Sequence, residues 1–107
     1  MIVVIDYGIG NLASVLNMFK KIGVNDVKVS GNESEIAKAD KILLPGVGAF
    51  DTGMENLEKS NLIPILNQKA LVQKVPVLGI CLGMQLLTKR SDEGVKNGLG
   101  YIDAETI

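Results

Sequence analysis

The residues Gly79-Ile80-Cys81-Leu82-Gly83 join two regular segments with no room for a loop between them. On the N-terminal side runs an apolar stretch, Val75 to Leu78. On the C-terminal side Met84, Gln85, Leu86 and Leu87 read as a helix. A strand that turns straight into a helix puts the turn residue in strained backbone and exposes its side chain. Glycines two positions to either side let strand and helix pack closely. A chain with such a junction needs a sheet whose strands feed helices, and the other segments show the same alternation.

Ile2 to Ile5 is apolar and β-branched, and reads as a strand buried on both faces. Tyr7-Gly8-Ile9-Gly10 reads as a turn and Asn11 as a helix N-cap. Leu12, Val15, Leu16, Phe19 and Ile22 then form one helical face, with Lys20 and Lys21 in the last turn and Gly23 as the stop. Val27 to Val29 is a second strand and Ser34 to Lys38 a brief helix. Lys41 to Leu44 is a third strand, stopped by Pro45 and Gly46. Helices are expected over Ala49 to Leu57 and Ile63 to Val72, with Pro64 tolerated in a first turn. Val75 to Ile80 is the fourth strand and Leu82 to Lys89 the helix after the junction. This alternation predicts an α/β fold, a parallel sheet with helices on both faces. The tail, Ser91 to Ile107, is Gly-rich at first and reads as a strand start near Ala104 to Ile107.

One domain is the natural count for 107 residues. The net charge of −1, from 11 basic and 12 acidic residues well interspersed, leaves no electrostatic footprint for nucleic acid. No apolar run approaches the roughly 20 residues needed to cross a bilayer. The N-terminus has no basic region before its apolar stretch, and Asp6 interrupts that stretch, which argues against a signal peptide. The single cysteine can form no internal disulfide, which fits a reducing, cytoplasmic setting. Nothing in the sequence points to a metal or a cofactor.

Three constellations are candidates for chemistry. A lone cysteine in an apolar stretch ordinarily reads as a buried small hydrophobe. The strand–turn–helix setting makes Cys81 a candidate nucleophile instead, because unpaired amides at a helix start favour negative charge there. The amide of Leu82, the residue after the nucleophile, is expected to face a developing oxyanion. The second constellation is Leu44-Pro45-Gly46-Val47-Gly48-Ala49-Phe50. It is a plain strand-to-helix turn or an oxyanion strand, with glycines at Gly46 and Gly48 that let backbone N–H groups approach a ligand. In an open parallel sheet this loop and the junction at Cys81 both lie at the carboxyl ends of strands, where ligands bind. The third, Gly8-Ile9-Gly10-Asn11-Leu12-Ala13, matches the dinucleotide pattern G-x-G-x-x-A. The strand after its helix lacks a terminal acid, so a tight turn is preferred over nucleotide binding.

Taken together, Asp6 to Leu12, Leu44 to Phe50 and Gly79 to Leu87 resemble the class I (triad-type) glutamine amidotransferases. The likeness extends over all 107 residues, with Ser91-Asp92-Glu93-Gly94 and Gly98-Leu99-Gly100 also in place. Within that family the motifs are similar to the glutaminase subunit of imidazole glycerol phosphate synthase, of histidine biosynthesis. They are also similar to its paralogues that supply ammonia for surface-polysaccharide sugar modification.

The resemblance implies roles. Cys81 attacks the side-chain amide carbon of glutamine. Gly46, Val47, Gly48 and Leu82 hold the oxyanion, and Gln85 and Glu93 help bind the substrate. Ammonia leaves, a γ-glutamyl thioester forms, and water releases glutamate. The ammonia passes to a synthase or cyclase subunit, which implies a heterodimer with the Asp6-to-Leu12 turn near the interface.

The departure from the family is the triad itself. The family's histidine and glutamate lie in the C-terminal part of its chain, and these 107 residues contain no histidine. The chain is therefore expected to be the N-terminal part, residues 1–107, of a single amidotransferase domain. A positioned acid–base residue is worth about 10²–10⁴-fold, so this polypeptide alone is expected to have no useful glutaminase activity. The lost strands and helices are expected to leave apolar surface on one side of the sheet and an unpaired edge. The alternatives are a non-catalytic scaffold, another enzyme class with the same junction, and a nucleotide-binding fragment.

Overall fold

A computed structural model describes residues 1–107. Four parallel strands form one sheet in the order β2-β1-β3-β4. They are β1 (Ile2–Ile5), β2 (Val27–Ser30), β3 (Lys41–Leu44) and β4 (Val77–Gly79). The helices between them are α1 (Leu12–Lys21), α2 (Glu33–Ala37), α3 (Phe50–Lys59) and α4 (Ile63–Asn67), and α5 (Leu82–Leu86) comes after β4. This is the expected parallel α/β architecture.

Alternate residues of each strand face opposite ways. Val3, Ile5, Ile42 and Leu44 join Ile36, Phe50, Met54, Leu57, Leu66 and Leu86 in the main core, so α2 to α5 cover that face. The other face carries Ile2, Val4, Leu43 and Leu78, in register across β1, β3 and β4. Only α1 covers it, through Phe19, and no residue of α1 is buried. The apolar face expected for this helix is thus only half used, and Ile22 stays 66% exposed. Beside α1 lies an apolar groove of about 200 Å³ lined by Ile2, Phe19, Leu43, Pro76 and Leu78. Leu78 is 60% exposed, and β4 pairs with β3 alone. The expected bare side and free edge are both present.

Several boundaries differ from expectation, each for a local reason. Helix α1 begins as expected, with the Asn11 side chain accepting from the Ser14 amide at 3.2 Å. In α2 the N-cap is Asn32, whose Oδ1 accepts from the Ser34 amide at 2.8 Å, so the helix starts at Glu33. The helix from Ile63 changes winding at Gln68 and finishes as a π-helical turn, Gln68–Val72. Within that wider turn Lys69 is buried, its ammonium donating to the Ala37 carbonyl (2.9 Å) and to Gln73 Oε1 (2.8 Å). Strand β4 is shorter than Val75 to Ile80. The Val75 amide turns back to the Lys69 carbonyl (3.0 Å), and Pro76 has no N–H to give.

Helix α5 stops at Leu86 rather than Lys89 because the Lys89 amide leaves the helix for the Ala104 carbonyl (2.9 Å), and the tail then occupies the last carbonyls. Those of Leu86, Leu87 and Thr88 accept from the amides of Leu99, Ile102 and Gly100 at 2.8, 3.0 and 3.1 Å. The strand expected near Ala104 to Ile107 does not form. Thr106 makes one isolated bridge to Ser91, with no regular strand beside it to extend the ladder.

Candidate active site

Gly79 ends β4, Leu82 begins α5, and Cys81 lies between them at φ 53°, ψ −121°. Few non-glycine residues adopt a positive φ, and here it turns the thiol outward, leaving Cys81 exposed. The junction is tight because two positions admit no side chain. A β-carbon on Gly79 would lie 2.5 Å from the Met84 Cα, and one on Gly83 would overlap the Leu44 carbonyl.

That second contact brings the Pro45–Gly48 loop against the junction. The β3–β4 ladder runs on past the strands: the Ile80 amide donates to the Leu44 carbonyl (3.0 Å), and two residues later the Leu82 amide donates to the Gly46 carbonyl (3.2 Å). The Leu82 amide, expected to face an oxyanion, is therefore engaged by Gly46, the next acceptor in the parallel register. The amides of Val47 and Gly48 donate to no group in the protein. Val47 is 59% exposed, and Gly48 sits at φ 109° with open space around it. These two N–H groups form the free donor edge of the loop.

Tyr7 anchors the loop from below. It is buried, and its hydroxyl donates to the Pro45 carbonyl at 2.5 Å. Burial raises the phenol well above its ordinary value, so it remains a donor. The same space explains Gly46, where a β-carbon would overlap the Tyr7 hydroxyl. Gly8 and Gly10 adopt φ of 92° and 121°, and Gly10 packs on Pro45. The glycine pattern after β1 thus serves a tight turn against this loop, as preferred over a nucleotide site.

Gln85 is half-buried on the first turns of α5. Glu93 is exposed on the next loop, where its carboxylate makes no ion pair or hydrogen bond with the protein. Ser91, 1% exposed, accepts the Glu93 amide on its hydroxyl at 3.2 Å. Two residues further on, the amides of Val95 and Lys96 donate to the carboxylate of Asp51 in the first turn of α3, at 3.0 Å each. Those bonds hold the Asp51 carboxyl below the usual aspartate range. Sequence reasoning missed both Asp51 and the Tyr7 clamp, because each acts on backbone groups about 40 residues away. No group of three or more His, Cys, Asp or Glu side chains is placed to hold a metal.

The profile of the family described as glutamine amidotransferase class-I matches residues 3–103. The chain belongs to this family. It is 51% identical over its whole length to a Pseudomonas aeruginosa protein named imidazole glycerol phosphate synthase subunit HisH 2, covering 52% of that protein. A Methanococcus maripaludis protein of the same name is 53% identical over 107 residues, with 52% of its length covered. A Campylobacter jejuni protein named subunit HisH 1 is 50% identical over 108 residues, with 53% covered. The chain thus spans about half the length of the curated relatives it matches.

Proposed function

We propose that these residues are the nucleophile-bearing, N-terminal part of a single glutamine amidotransferase domain that hydrolyses glutamine to glutamate and ammonia. The observation that carries this is Cys81, exposed at positive φ between β4 and α5, beside a glycine loop whose Val47 and Gly48 amides donate to no group in the protein. The Cys81 sulfur adds to the glutamine side-chain amide carbon, and the carbonyl oxygen becomes an oxyanion. The Val47 and Gly48 amides donate to that oxygen, each such donor being worth about 2.7–4 kcal/mol in the transition state. The Leu82 amide joins them once the Gly46 carbonyl turns aside. The C–N bond breaks as the nitrogen takes a proton and leaves as ammonia. Water then cleaves the γ-glutamyl thioester to glutamate and regenerates the thiol.

No histidine is present among residues 1–107 to supply that proton. Without it sulfur is the better leaving group, and the intermediate falls back to glutamine. Gln85 and Glu93 bind the substrate's backbone groups, the free Glu93 carboxylate suiting an α-ammonium. The names of the similar proteins support a synthase or cyclase partner that receives the ammonia. Glutamate release by the protein at its native length tests this. Turnover that disappears in Cys81→Ser is expected. Unchanged turnover in that variant contradicts the assignment.

A further inference from the structure

Glu93 sits between two backbone anchors, and only one of them is local. On its N-terminal side its own amide is held by the buried Ser91 hydroxyl at 3.2 Å. On its C-terminal side the Val95 amide reaches both carboxylate oxygens of Asp51 (3.1 and 3.0 Å), and the Lys96 amide reaches Oδ1 (3.0 Å). The neighbouring charges are already engaged: Asp92 pairs with Arg90 at 2.8 Å, and Lys96 with Glu58 at 3.3 Å. Glu93 alone keeps an unpaired carboxylate on a segment pinned at both ends. Gly94 lies against the Asp51 carboxylate so closely that a β-carbon would overlap Oδ1. Asp51 itself stands three residues after Gly48, in the first turn of the helix that leads away from the oxyanion loop.

We propose that Asp51 is a positioning residue for glutamine recognition, fixing the Glu93 segment at a set distance from the Gly46–Gly48 loop. This rests on the glutaminase reading above. One end of the substrate, its amide, is held at the loop before α3. The other, its α-ammonium, is held at Glu93. Asp51 is the tie between those two supports, and it spans 44 residues of sequence. A misplacement of about 1 Å between such supports can cost about 10²-fold.

The test uses the protein at native length, with three readings: hydrogen exchange at Val95 and Lys96, the L-glutamine concentration that half-protects Cys81 from iodoacetamide, and the iodoacetamide rate without glutamine. In Asp51→Ala the two amides are expected to exchange faster and the half-protecting concentration to rise about tenfold. The iodoacetamide rate should stay within about twofold, since that reagent needs neither support. Asp51→Asn retains one acceptor oxygen and should recover most of the loss. Gly94→Ala, which displaces the carboxylate without removing it, should reproduce the loss in an otherwise unaltered α3. An unchanged half-protecting concentration in Asp51→Ala overturns the proposal, as does unchanged exchange at Val95 and Lys96. If glutamine fails to protect the unmutated protein, the glutaminase reading falls and this proposal with it.

Discussion

The amide of Leu82 donates to the carbonyl of Gly46 at 3.2 Å, one step beyond the bond from Ile80 to Leu44. The sheet's own ladder thus continues into the two loops that carry the candidate site. Strand pairing ties the Gly46–Gly48 loop to the Cys81 junction. Gly83 completes the joint by packing on the Leu44 carbonyl.

That joint predicts the cost of adding a methyl group. In Gly83→Ala the β-carbon meets a backbone oxygen in a buried strand, which cannot move aside. Overpacking of this kind typically costs about 1–3 kcal/mol, and this site should reach the upper end. Urea unfolding of the variant is expected to show that loss. A midpoint equal to the parent's would mean that β3 and α5 are less closely packed.

Tyr7→Phe removes the donor to the Pro45 carbonyl and leaves that acceptor buried without a partner. Such an unsatisfied group costs about 1–3 kcal/mol. The variant should lose stability in that range and allow faster proteolysis within residues 45–49. Equal stability would show that the hydroxyl does not hold the loop.

Cys81 is one of three non-glycine residues at positive φ, the others being Asn61 and Lys74. A strained position of this kind costs about 1–3 kcal/mol, which glycine relieves, less about 0.5–1 kcal/mol for its extra unfolded freedom. Cys81→Gly should therefore be more stable than the parent by about 1 kcal/mol while losing all thiol reactivity. Thermal unfolding checks this, and a lowered midpoint would contradict it.

The Asp51 carboxyl titrates below its ordinary value, chiefly because the Val95 amide donates to it and next because the Lys96 amide does. A carboxylate depressed on folding holds fewer protons in the folded chain than in the unfolded one, so its contribution rises with pH. That contribution is complete above the ordinary aspartate value, about 3.9, and fades as pH falls through the depressed value. The Val95 and Lys96 amide shifts, tracked by NMR, should report a midpoint below that of an unfolded aspartate. A midpoint at or above it would contradict the clamp.

Strand β1 was legible because it is a short β-branched run that a parallel sheet buries on both sides, as Val3, Val4 and Ile5 are here. The Cys81 junction was legible because glycines at Gly79 and Gly83 are needed for close strand–helix packing. Less legible were the features set by distant partners. The end of α5 depends on the distant Ala104 carbonyl, which takes the Lys89 amide and which no helix-stop signal encodes. The winding of Gln68–Val72 accompanies burial of Lys69 against Ala37, a contact that propensity does not report. Asp51 reads from sequence only as an acid in a first helical turn, where it suits the dipole. Its partners, Val95 and Lys96, emerge only when the tail docks.

The most direct test of the central claim is covalent labelling of Cys81, in the protein at native length, by a glutamine analogue bearing an electrophilic chloroketone in place of the amide. Labelling that saturates with analogue concentration, maps to Cys81 and is blocked by L-glutamine but not by D-glutamine is the expected result. Labelling that rises linearly without saturation, or is indifferent to L-glutamine, would show an exposed thiol with no glutamine site around it and would contradict the assignment.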